Sequence, residues 1–530
     1  MDPLLIGLAF LFGFGARQLG QPPLVGFLVA GFAANAFGIA GGETVDAIAE
    51  LGVTLLLFLI GLELEPRRLF KTEVWATASG HALASIALFG GGAMAAAAAG
   101  IGAFAGLDWE GALALGFALS FSSTVFAVKN LDDRGESGAL HGRTAIGILI
   151  LQDVFAVVFL TFAGGKLPEV WAIALVAVLA LRTPLLAVLA RLGHGELVML
   201  FGLFLALGIG AGGFGIAGLK PDLGALVLGA LLAGHPRSRE LAHALFPLKD
   251  LFLVGFFLQI GLSGLPTWEQ LGVAWVLVAL VPVKIAMFLL AFARLRFRAR
   301  SSVLAALALG SYSEFGLIVS AIAAEAGWIA PFWPGILAIA VAGSFILSAP
   351  FQNAAHDLNP HRHRWLAKLE RRRRHPEEQP IQLGDARIAV LGMGRIGTGA
   401  YDDLVAHCGD VVIGVEVDAA KVAAARAGNR RVVQADVTDP AFWHRLERGR
   451  VQLVLLAMPA HDSNMFAFKL LKASQYEGKV AAIARFPDEV EALEAAGVDI
   501  AFNMYAEAGG GFASHVRRNL EDIIPRVDVT

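Results

Sequence analysis

The chain is poor in cysteine and in charged residues, and each shortage excludes a class of protein. Its 530 residues include a single cysteine, Cys408, so neither an internal disulfide nor a cysteine-based metal site can form. Only 16% of the residues are charged, whereas soluble domains contain about 25%. Hydrophobic residues make up 56% of the chain, above the roughly 45–50% of soluble domains. The average composition is therefore that of a membrane protein.

The charges are unevenly distributed and divide the chain into parts. Up to about Phe351 the sequence is a series of apolar stretches of roughly 20 residues, each long enough to cross the hydrocarbon layer of a bilayer. No positive region precedes the first stretch, so we interpret it as a membrane span rather than a cleavable signal. We predict a transmembrane domain over residues 1–355, a basic linker over 356–384 and an α/β domain over 385–530.

The loops give an independent test of the membrane topology. We predict about thirteen transmembrane helices of about 20 residues each, one of them centred near residue 178. Lysine and arginine mark cytoplasmic loops, and here they fall in alternate loops: Arg17, Arg67, Arg68, Lys71, Lys129, Arg134, Arg143, Arg191, Arg237, Arg239, Lys249, Arg294, Arg296, Arg298 and Arg300. We therefore expect a multi-pass protein of the bacterial inner (plasma) membrane, with its N-terminus outside and its tail in the cytoplasm.

The linker is strongly basic. Its block Arg371–Arg374 either binds anionic lipid or is simply solvated, and the sequence leaves both alternatives open. An apolar stripe formed by Trp365, Leu366 and Leu369 is compatible with a short interfacial helix.

The tail alternates strand and helix from Ala386 onward, with five predicted strands and a sixth over the sequence DIAFNM. This alternation predicts a doubly wound, Rossmann-like α/β domain. A G-x-G-x-x-G motif spans residues 392–397, after the first strand and at the start of a helix, where glycines allow phosphate to approach the positive end of the helix. Acidic residues end the second and third strands. In Rossmann folds, the acidic residue at the end of the second strand binds the ribose hydroxyls.

We therefore predict a nucleotide site in the tail. Its candidate residues are Gly392, Gly394, Arg395, Ile396, Gly397, Glu416, Asp418 and Asp436. A Rossmann-like domain that binds no nucleotide is the alternative. Only about 140 residues remain in the tail, too few for a dehydrogenase with its own substrate domain, so a regulatory nucleotide switch is the better interpretation.

Three charged residues lie deep inside predicted spans: Asp153, Lys284 and Glu314. Placing a charged residue in a bilayer costs free energy, so such residues usually mark a transport pathway. Structural alternatives exist, since Asp153 and Lys284 could form a static ion pair and Glu314 could cap a broken helix. Lys284 could also neutralise an ion site or the facing ends of half-helices.

Asp153 is suited to exchange because a poorly hydrated carboxylate takes up a proton readily and releases it when a cation arrives. Its neighbour Gln152 is neutral, so the sequence favours one proton for one cation. Ser122, Ser123 and Thr124 interrupt the fifth span, and residues 310–314 interrupt the twelfth comparably. Paired interruptions indicate inverted repeats with crossed broken helices, and their hydroxyl and carbonyl oxygens suit an alkali ion. Alternatively, the hydroxyls bond back to their own helix.

These motifs resemble the cation/proton antiporter superfamily 2, specifically Kef-type potassium/proton antiporters with a C-terminal RCK (TrkA-N) domain. The resemblance covers nearly the whole chain. It is carried, in order, by Pro23–Gly26, Gly61–Leu69, ALSFSSTVFAV over residues 118–128, Gln152-Asp153, residues 217–234 and Ser313–Val319. Two segments depart from the family pattern: Tyr312-Ser313-Glu314-Phe315 replaces Gly-Gly-Glu-Phe, and Gln434-Ala435-Asp436 replaces a Gly-Asp-Ala turn.

The resemblance implies a homodimer with elevator-like movement of a core domain, and it implies that Asp153 carries both proton and cation. It implies that a Gln-Asp pair, rather than an Asp-Asp pair, goes with a preference for potassium over sodium. The tail would bind AMP or NAD(H) and regulate transport, as glutathione also does in some relatives, although no residue pattern here indicates glutathione binding.

From these arguments we predict electroneutral K⁺/H⁺ exchange and no catalysis, nucleic-acid partner or metal other than the transported cation. A Na⁺/H⁺ antiporter of the same fold is the nearest alternative, and Gln152 is the feature against it. A nucleotide-gated channel would require a filter loop of the TVGYG type, and the sequence contains none.

Overall fold

The computed structural model divides the chain into two units, each with its own core. Unit 1 comprises Met1–Val128 and Thr144–Arg373, and unit 2 comprises Lys129–Arg143 and Arg374–Thr530. The structure describes residues 3–19, 21–39, 41–63, 70–133, 136–163, 182–193, 195–216, 221–235, 237–262, 264–356, 374–378, 383–437, 439, 442–443, 446, 449–459, 461–474 and 476–519. The linker residues 357–373, including the predicted interfacial stripe, lie outside the described residues.

Unit 1 is helical. Its helices are α1 (Pro3–Gln18), α2 (Pro23–Ala36), α3 (Glu43–Glu63), α4 (Thr72–Ser85), α5 (Gly91–Ala98), α6 (Trp109–Ala118), α7 (Thr124–Asp133), α8 (Leu140–Ala163), α9 (Arg182–Arg191), α10 (Glu196–Leu203), α11 (Gly213–Ile216), α12 (Pro221–Leu232), α13 (Ser238–Leu262), α14 (Trp268–Ala279), α15 (Val281–Arg294), α16 (Ala299–Ala308), α17 (Glu314–Glu325) and α18 (Trp333–His356). Short π-helical turns, Ile86–Gly90 and Phe204–Gly212, join α4 to α5 and α10 to α11.

Among the described residues, six helical segments are long and apolar enough to cross a membrane: Glu43–Leu62, Thr72–Ala98, Glu196–Ile216, Glu240–Leu262, Trp268–Arg294 and Trp333–Gln352. Three shorter apolar helices are Pro3–Gln18, Pro23–Ala36 and Ala299–Ala308. The prediction of a polytopic helical membrane domain is thus confirmed. The span predicted near residue 178 lies outside the described part of the chain, so the count of thirteen stays a prediction.

Two helix pairs are interrupted in the middle of unit 1. Residues 119–123 separate α6 from α7, and residues 309–313 separate α16 from α17. An antiparallel β-bridge between Ser122 and Tyr312 joins the two interruptions. The predicted crossing of two broken helices is therefore present, and it puts non-helical backbone from both pairs at one point.

Helices in unit 1 approach closely where glycines face each other. A methyl group at Gly229 of α12 would overlap the carbonyl oxygen of Phe58 on α3, and one at Gly61 would overlap that of Leu226. Small residues at such contacts let backbones approach, which matters in a bilayer because hydrophobic burial gives little drive for helix association.

Unit 2 contains a six-stranded parallel sheet in the order β3-β2-β1-β4-β5-β6. Its elements are β1 (Ile388–Leu391), α19 (Arg395–Cys408), β2 (Val412–Glu416), α20 (Ala419–Ala427), β3 (Val432–Gln434), β4 (Leu453–Leu456), α21 (His461–Ala473), β5 (Lys479–Ala484), α22 (Pro487–Ala496), β6 (Ile500–Asn503) and α23 (Met504–Asn519). This is the strand order of Rossmann folds, which bind ligands where the order reverses, between β1 and β4. The predicted α/β tail domain, including its sixth strand, is confirmed.

The glycine contacts generate a prediction for stability. Gly229→Ala should lower the free energy of unfolding by about 1–3 kcal/mol, because the added methyl overlaps the backbone of α3. Gly80→Ala, whose methyl would meet no atom within 4 Å, should leave stability equal or slightly higher. Thermal unfolding of the detergent-purified protein measures both, and equal melting temperatures would contradict the proposed close contact.

Candidate functional site

The crossing of the broken helices is stabilised by side chains that bond to interrupted backbone. The Ser122 hydroxyl donates to the carbonyl oxygen of Leu309 at 2.8 Å. The Tyr312 N–H donates to Ser344 Oγ at 3.0 Å, and the Tyr312 hydroxyl donates to the carbonyl of Leu277 at 2.8 Å. The bonds to the Leu309 carbonyl and from the Tyr312 N–H supply partners that the broken helix cannot provide for itself, which is the condition for non-helical backbone at membrane depth. The Tyr312 hydroxyl bond ties the same residue to α14.

Lys284 extends from α15 into this crossing and is fully buried. Its Nζ donates to the carbonyl oxygen of Phe121 in one interruption and to that of Ser311 in the other, the latter at 3.2 Å. The same nitrogen lies 4.9 Å from the ring centroid of Tyr312. Of the roles left open by the sequence, the structure thus shows Lys284 bonded to the backbone of both interruptions.

Gln152 connects α8 to the first interruption. Its Oε1 accepts the N–H of Ser122 at 3.0 Å, and its Nε2 donates to the carbonyl oxygen of Ser120 at 3.1 Å. A side-chain amide can make both bonds because it carries a donor and an acceptor, whereas a carboxylate has only acceptors. The adjacent Asp153 is also buried, with 4% of its surface exposed. Gln152 therefore fixes α8, and with it Asp153, against the interrupted backbone.

Glu314 and the hydroxyl residues lie where the second half-helices begin. Glu314, the first residue of α17, is buried, and its Oε2 accepts hydrogen bonds from Ser123 Oγ at 3.5 Å and Ser313 Oγ at 3.3 Å. Thr124 starts α7, and its buried Oγ1 has no hydrogen-bond partner in the described structure. The site thus contains carboxylate and hydroxyl oxygens at helix N-termini, of the kind that hard cations prefer.

The glycine loop of unit 2 has the geometry that the motif predicts. Gly392 has a φ of +93°, in the region that favours glycine, and a methyl group at Gly397 would overlap the carbonyl oxygen of Gly392. Gly394 caps the N-terminus of α19, and a methyl group there would meet no atom within 4 Å. Arg395 and Ile396 form the first turn of α19. Open space thus lies at the positive end of the helix, where a phosphate would bind.

The predicted acidic residues take different positions. Glu416 is buried at the end of β2; its Oε2 accepts the N–H of Met393 at 3.0 Å, and its Oε1 accepts those of Val417 and Asp418 at 2.9 and 3.0 Å. This carboxylate therefore braces the glycine loop. Asp418 Oδ1 accepts the N–H of Lys421 at 3.3 Å and caps α20.

Asp436 lies in the loop after β3, where its main-chain carbonyl accepts the N–H of Asp439.

Residues 129–143 belong to unit 2, although they precede most of α8 in the chain. The sequence did not predict this grouping. Arg143 forms an ion pair with Glu377 and donates to the carbonyl of Val417 at 3.2 Å. Gln434 Nε2 donates to Glu377 Oε2 at 2.7 Å and to the same carbonyl at 3.2 Å. Val417 follows Glu416, so this segment contacts the turn directly after the candidate ribose-binding residue.

Comparison with known families matches each of the two parts of the chain to a family model. The model of a family described as "Sodium/hydrogen exchanger, transmembrane" matches residues 6–352. The chain belongs to the sodium/hydrogen exchanger family. The TrkA-N domain model matches residues 388–504, as the resemblance to RCK domains implied.

Similar curated proteins cover most of the chain. A glutathione-regulated potassium-efflux system protein KefC from Enterobacter sp. (strain 638) is 28% identical over 94% of this chain and 81% of its own length. The KefC protein of Salmonella schwarzengrund (strain CVM19633) is 28% identical over 91% of this chain and 79% of its own length. The resemblance to Kef-type antiporters is confirmed. An NAD(P)-binding domain of an exopolyphosphatase-related protein from Archaeoglobus fulgidus has a TM-score of 0.24 and 21% identity, covering 25% of this chain and 98% of its own.

The glycine loop generates a prediction for nucleotide binding. Gly394→Val should weaken binding of AMP or NADH at least about tenfold, because its side chain enters the open space at the start of α19, where a Cβ meets no protein atom within 4 Å. Gly399→Val, later in α19 and likewise clear of other atoms, is the matched control and should keep wild-type affinity. Calorimetry on the full chain measures both variants, and unchanged affinity in Gly394→Val would show that the loop holds no phosphate.

Proposed function

We propose that the chain is an electroneutral K⁺/H⁺ antiporter that releases potassium by elevator-type alternating access and is regulated by nucleotide binding to unit 2. The observation that carries the proposal is the buried Asp153, which Gln152 fixes against a crossing of two interrupted helices. Ser122, Ser123 and Thr124 supply hydroxyl and carbonyl oxygens for the cation, with Glu314 in support.

Exchange follows from competition for one carboxylate. A poorly hydrated Asp153 is stable when it is neutralised, either by a proton or by a potassium ion. Loading one cargo therefore expels the other, and the empty, charged site is disfavoured in the membrane core. Gln152 is neutral, and Lys284 is bonded to two carbonyl oxygens. Glu314 accepts hydrogen bonds from Ser123 and Ser313, and in this proposal it keeps the same protonation state throughout the cycle. Asp153 is then the single carboxylate that exchanges its charge, which gives one proton per cation.

Sodium is the second candidate cargo. The family description names sodium, whereas the relatives' names state potassium efflux. Proton flux in proteoliposomes under potassium or sodium gradients of equal size distinguishes the two. We expect potassium to drive the larger flux.

Regulation is supported by contacts within unit 2. Residues 129–143 lead into α8, which carries Asp153, and their Arg143 bonds to the carbonyl after Glu416. A nucleotide whose ribose competed for Glu416 would alter the turn that Arg143 contacts. We infer that AMP or NAD(H) acts through this segment.

A homodimer is supported by an apolar surface on unit 2. The edge strand β6, α22's N-cap and α23 carry the large exposed side chains Phe486, Ile500, Phe502, Tyr505 and Phe512. Exposed apolar residues beside an unpaired strand edge are typical of association surfaces. We propose that a second copy of the chain covers this surface, with unit 2 in the cytoplasm of a bacterium and the N-terminus outside.

The shared-site proposal generates a direct test. Asp153→Asn should abolish potassium-driven proton flux in proteoliposomes, because the amide cannot take up a proton, while the melting temperature stays close to wild type. Asp250→Asn, at an exposed aspartate of α13, is the control and should retain flux. Undiminished exchange by the folded Asp153→Asn protein would contradict the proposal.

Gln152 generates a prediction for charge movement. Gln152→Asp adds a second carboxylate beside Asp153, so transport should become electrogenic or change its ion preference. Gln152→Leu removes the bonds to Ser120 and Ser122 without adding charge and should reduce flux without producing current. Currents recorded on a solid-supported membrane separate the two effects; an electrically silent Gln152→Asp variant with normal flux and ion preference would count against the single-charge mechanism.

A further inference from the structure

An apolar cavity of about 750 Å³ lies in unit 1, between α5 and α14 and above parts of α6 and α18. Its floor is buried: Leu115 of α6 and Leu337 of α18 are each 3% exposed. Its rim is not, since Leu88, Ile101 and Val276 are 50%, 54% and 58% exposed. Ligand pockets have volumes of about 300–1,000 Å³. The cavity is thus large enough for a ligand, and its apolar rim opens towards the lipid of the membrane.

Two glycines leave the cavity open. A methyl group at Gly92 of α5 or at Gly272 of α14 would meet no atom within 4 Å, although both residues line the cavity. Protein interiors contain few voids larger than a water molecule, and the lining of a void loses dispersion contacts. Water does not fill a cavity with an apolar lining. An apolar ligand therefore explains this space better than an empty void does.

The cavity follows one face of the span formed by α14 and α15. Its lining residues on this span include Glu269, Val273, Val276, Leu280 and Val283, at the spacing of three or four that defines one helix face. The first and last are 14 residues apart, which corresponds to about 21 Å along a helix. The hydrocarbon core of a bilayer is about 30 Å thick. A long, narrow apolar space of this length suits an extended acyl chain.

A carboxylate lies at one end of the cavity. Glu269 is in the first turn of α14 and follows Trp268, which is 89% exposed. Exposed tryptophans of membrane proteins concentrate at the level of the lipid headgroups. A methyl group at Gly102 would come within 1.6 Å of Glu269 Oε1, so the carboxylate lies directly against the turn at the rim.

This carboxylate is available to a cationic group of a ligand. Among the described residues that line the cavity, Glu269 is the only one that carries a charge. Its carboxylate forms no hydrogen bond or ion pair with another residue in the described part of the chain. A ligand that is complementary to the cavity therefore combines a long apolar chain with a positive group at headgroup depth.

We propose that the cavity binds a phospholipid with a primary-amine headgroup, whose acyl chain fills the apolar space and whose ammonium group pairs with Glu269. An acyl chain gains little when it moves from lipid to an apolar protein surface, so the headgroup decides which lipid binds. A primary ammonium donates hydrogen bonds to a carboxylate. A choline group has no N–H to donate, and a headgroup with net negative charge is repelled. This lipid site goes beyond the transport function and does not depend on it.

The cavity adjoins the crossing of the broken helices. Leu119, which lines it, is the first residue of the first interruption. Leu277 also lines it, and the carbonyl oxygen of Leu277 accepts the hydroxyl of Tyr312 in the second interruption. A bound chain contacts both leucines and adds packing beside the crossing. Because a ligand that binds only the folded state stabilises that state, the lipid should raise the melting temperature.

The test is lipid binding to the full chain purified in detergent, measured by native mass spectrometry and by melting temperature. Phosphatidylethanolamine, phosphatidylcholine and phosphatidylglycerol with the same acyl chains are added separately, so that only the headgroup differs. We expect the ethanolamine lipid to bind at least about threefold more tightly than the other two, the advantage that a solvent-accessible ion pair gives, and to raise the melting temperature most. Equal binding of the three lipids would overturn the proposal.

Two variants separate the headgroup from the chain. Glu269→Gln should remove the preference for the ethanolamine lipid, whereas Glu43→Gln, at an exposed first-turn glutamate of α3, should keep it. Gly272→Leu should weaken binding of the ethanolamine lipid because the leucine enters the cavity. Gly80→Leu, at a glycine with equally open surroundings on α4, is its control. A preference that persists in folded Glu269→Gln, or wild-type binding by folded Gly272→Leu, would contradict the proposed site.

Discussion

The structure of unit 1 depends on backbone groups that two broken helices leave unpaired in the membrane. Each unpaired group at that depth costs several kcal/mol, so the crossing persists only because other elements supply partners. Lys284 of α15 bonds to a carbonyl of each interruption, Gln152 of α8 bonds to two residues of the first, and Ser344 of α18 bonds to the second. The hydrogen bonds that satisfy the backbone groups of the crossing also bring oxygen atoms and charged side chains together at one point.

This constraint joins stability to transport. Gln152, which bonds to this backbone, is adjacent in sequence to Asp153, the carboxylate that we propose exchanges the cargo, so a change of charge at Asp153 or Lys284 would act on the crossing itself. Unit 2 contributes a separate constraint, because Glu416 braces the glycine loop and the following turn contacts Arg143. The glycine loop and the segment of unit 2 that contains Arg143 are thus linked through a few hydrogen bonds.

Much of this architecture could be predicted from residue types. Hydroxyl-rich interruptions in two spans predicted the crossing, and glycine spacing after a strand predicted the nucleotide loop, because both depend on side-chain size and backbone freedom. The bonds of Lys284 and Gln152 could not be predicted, since their partners are main-chain carbonyls and amides that every residue possesses. The stacking of His81 on Phe288 and the grouping of residues 129–143 with unit 2 depend on tertiary packing between segments far apart in sequence.

The central claim is that proton and potassium compete for one buried negative charge. Proton release on potassium binding tests it most directly: the purified protein is held in weakly buffered solutions over a series of pH values, and potassium is added to each while pH is recorded. The account predicts proton release that saturates with potassium binding, reaches at most one proton per bound ion and is absent in Asp153→Asn. Potassium binding without proton release, or equal release by the variant, would contradict it.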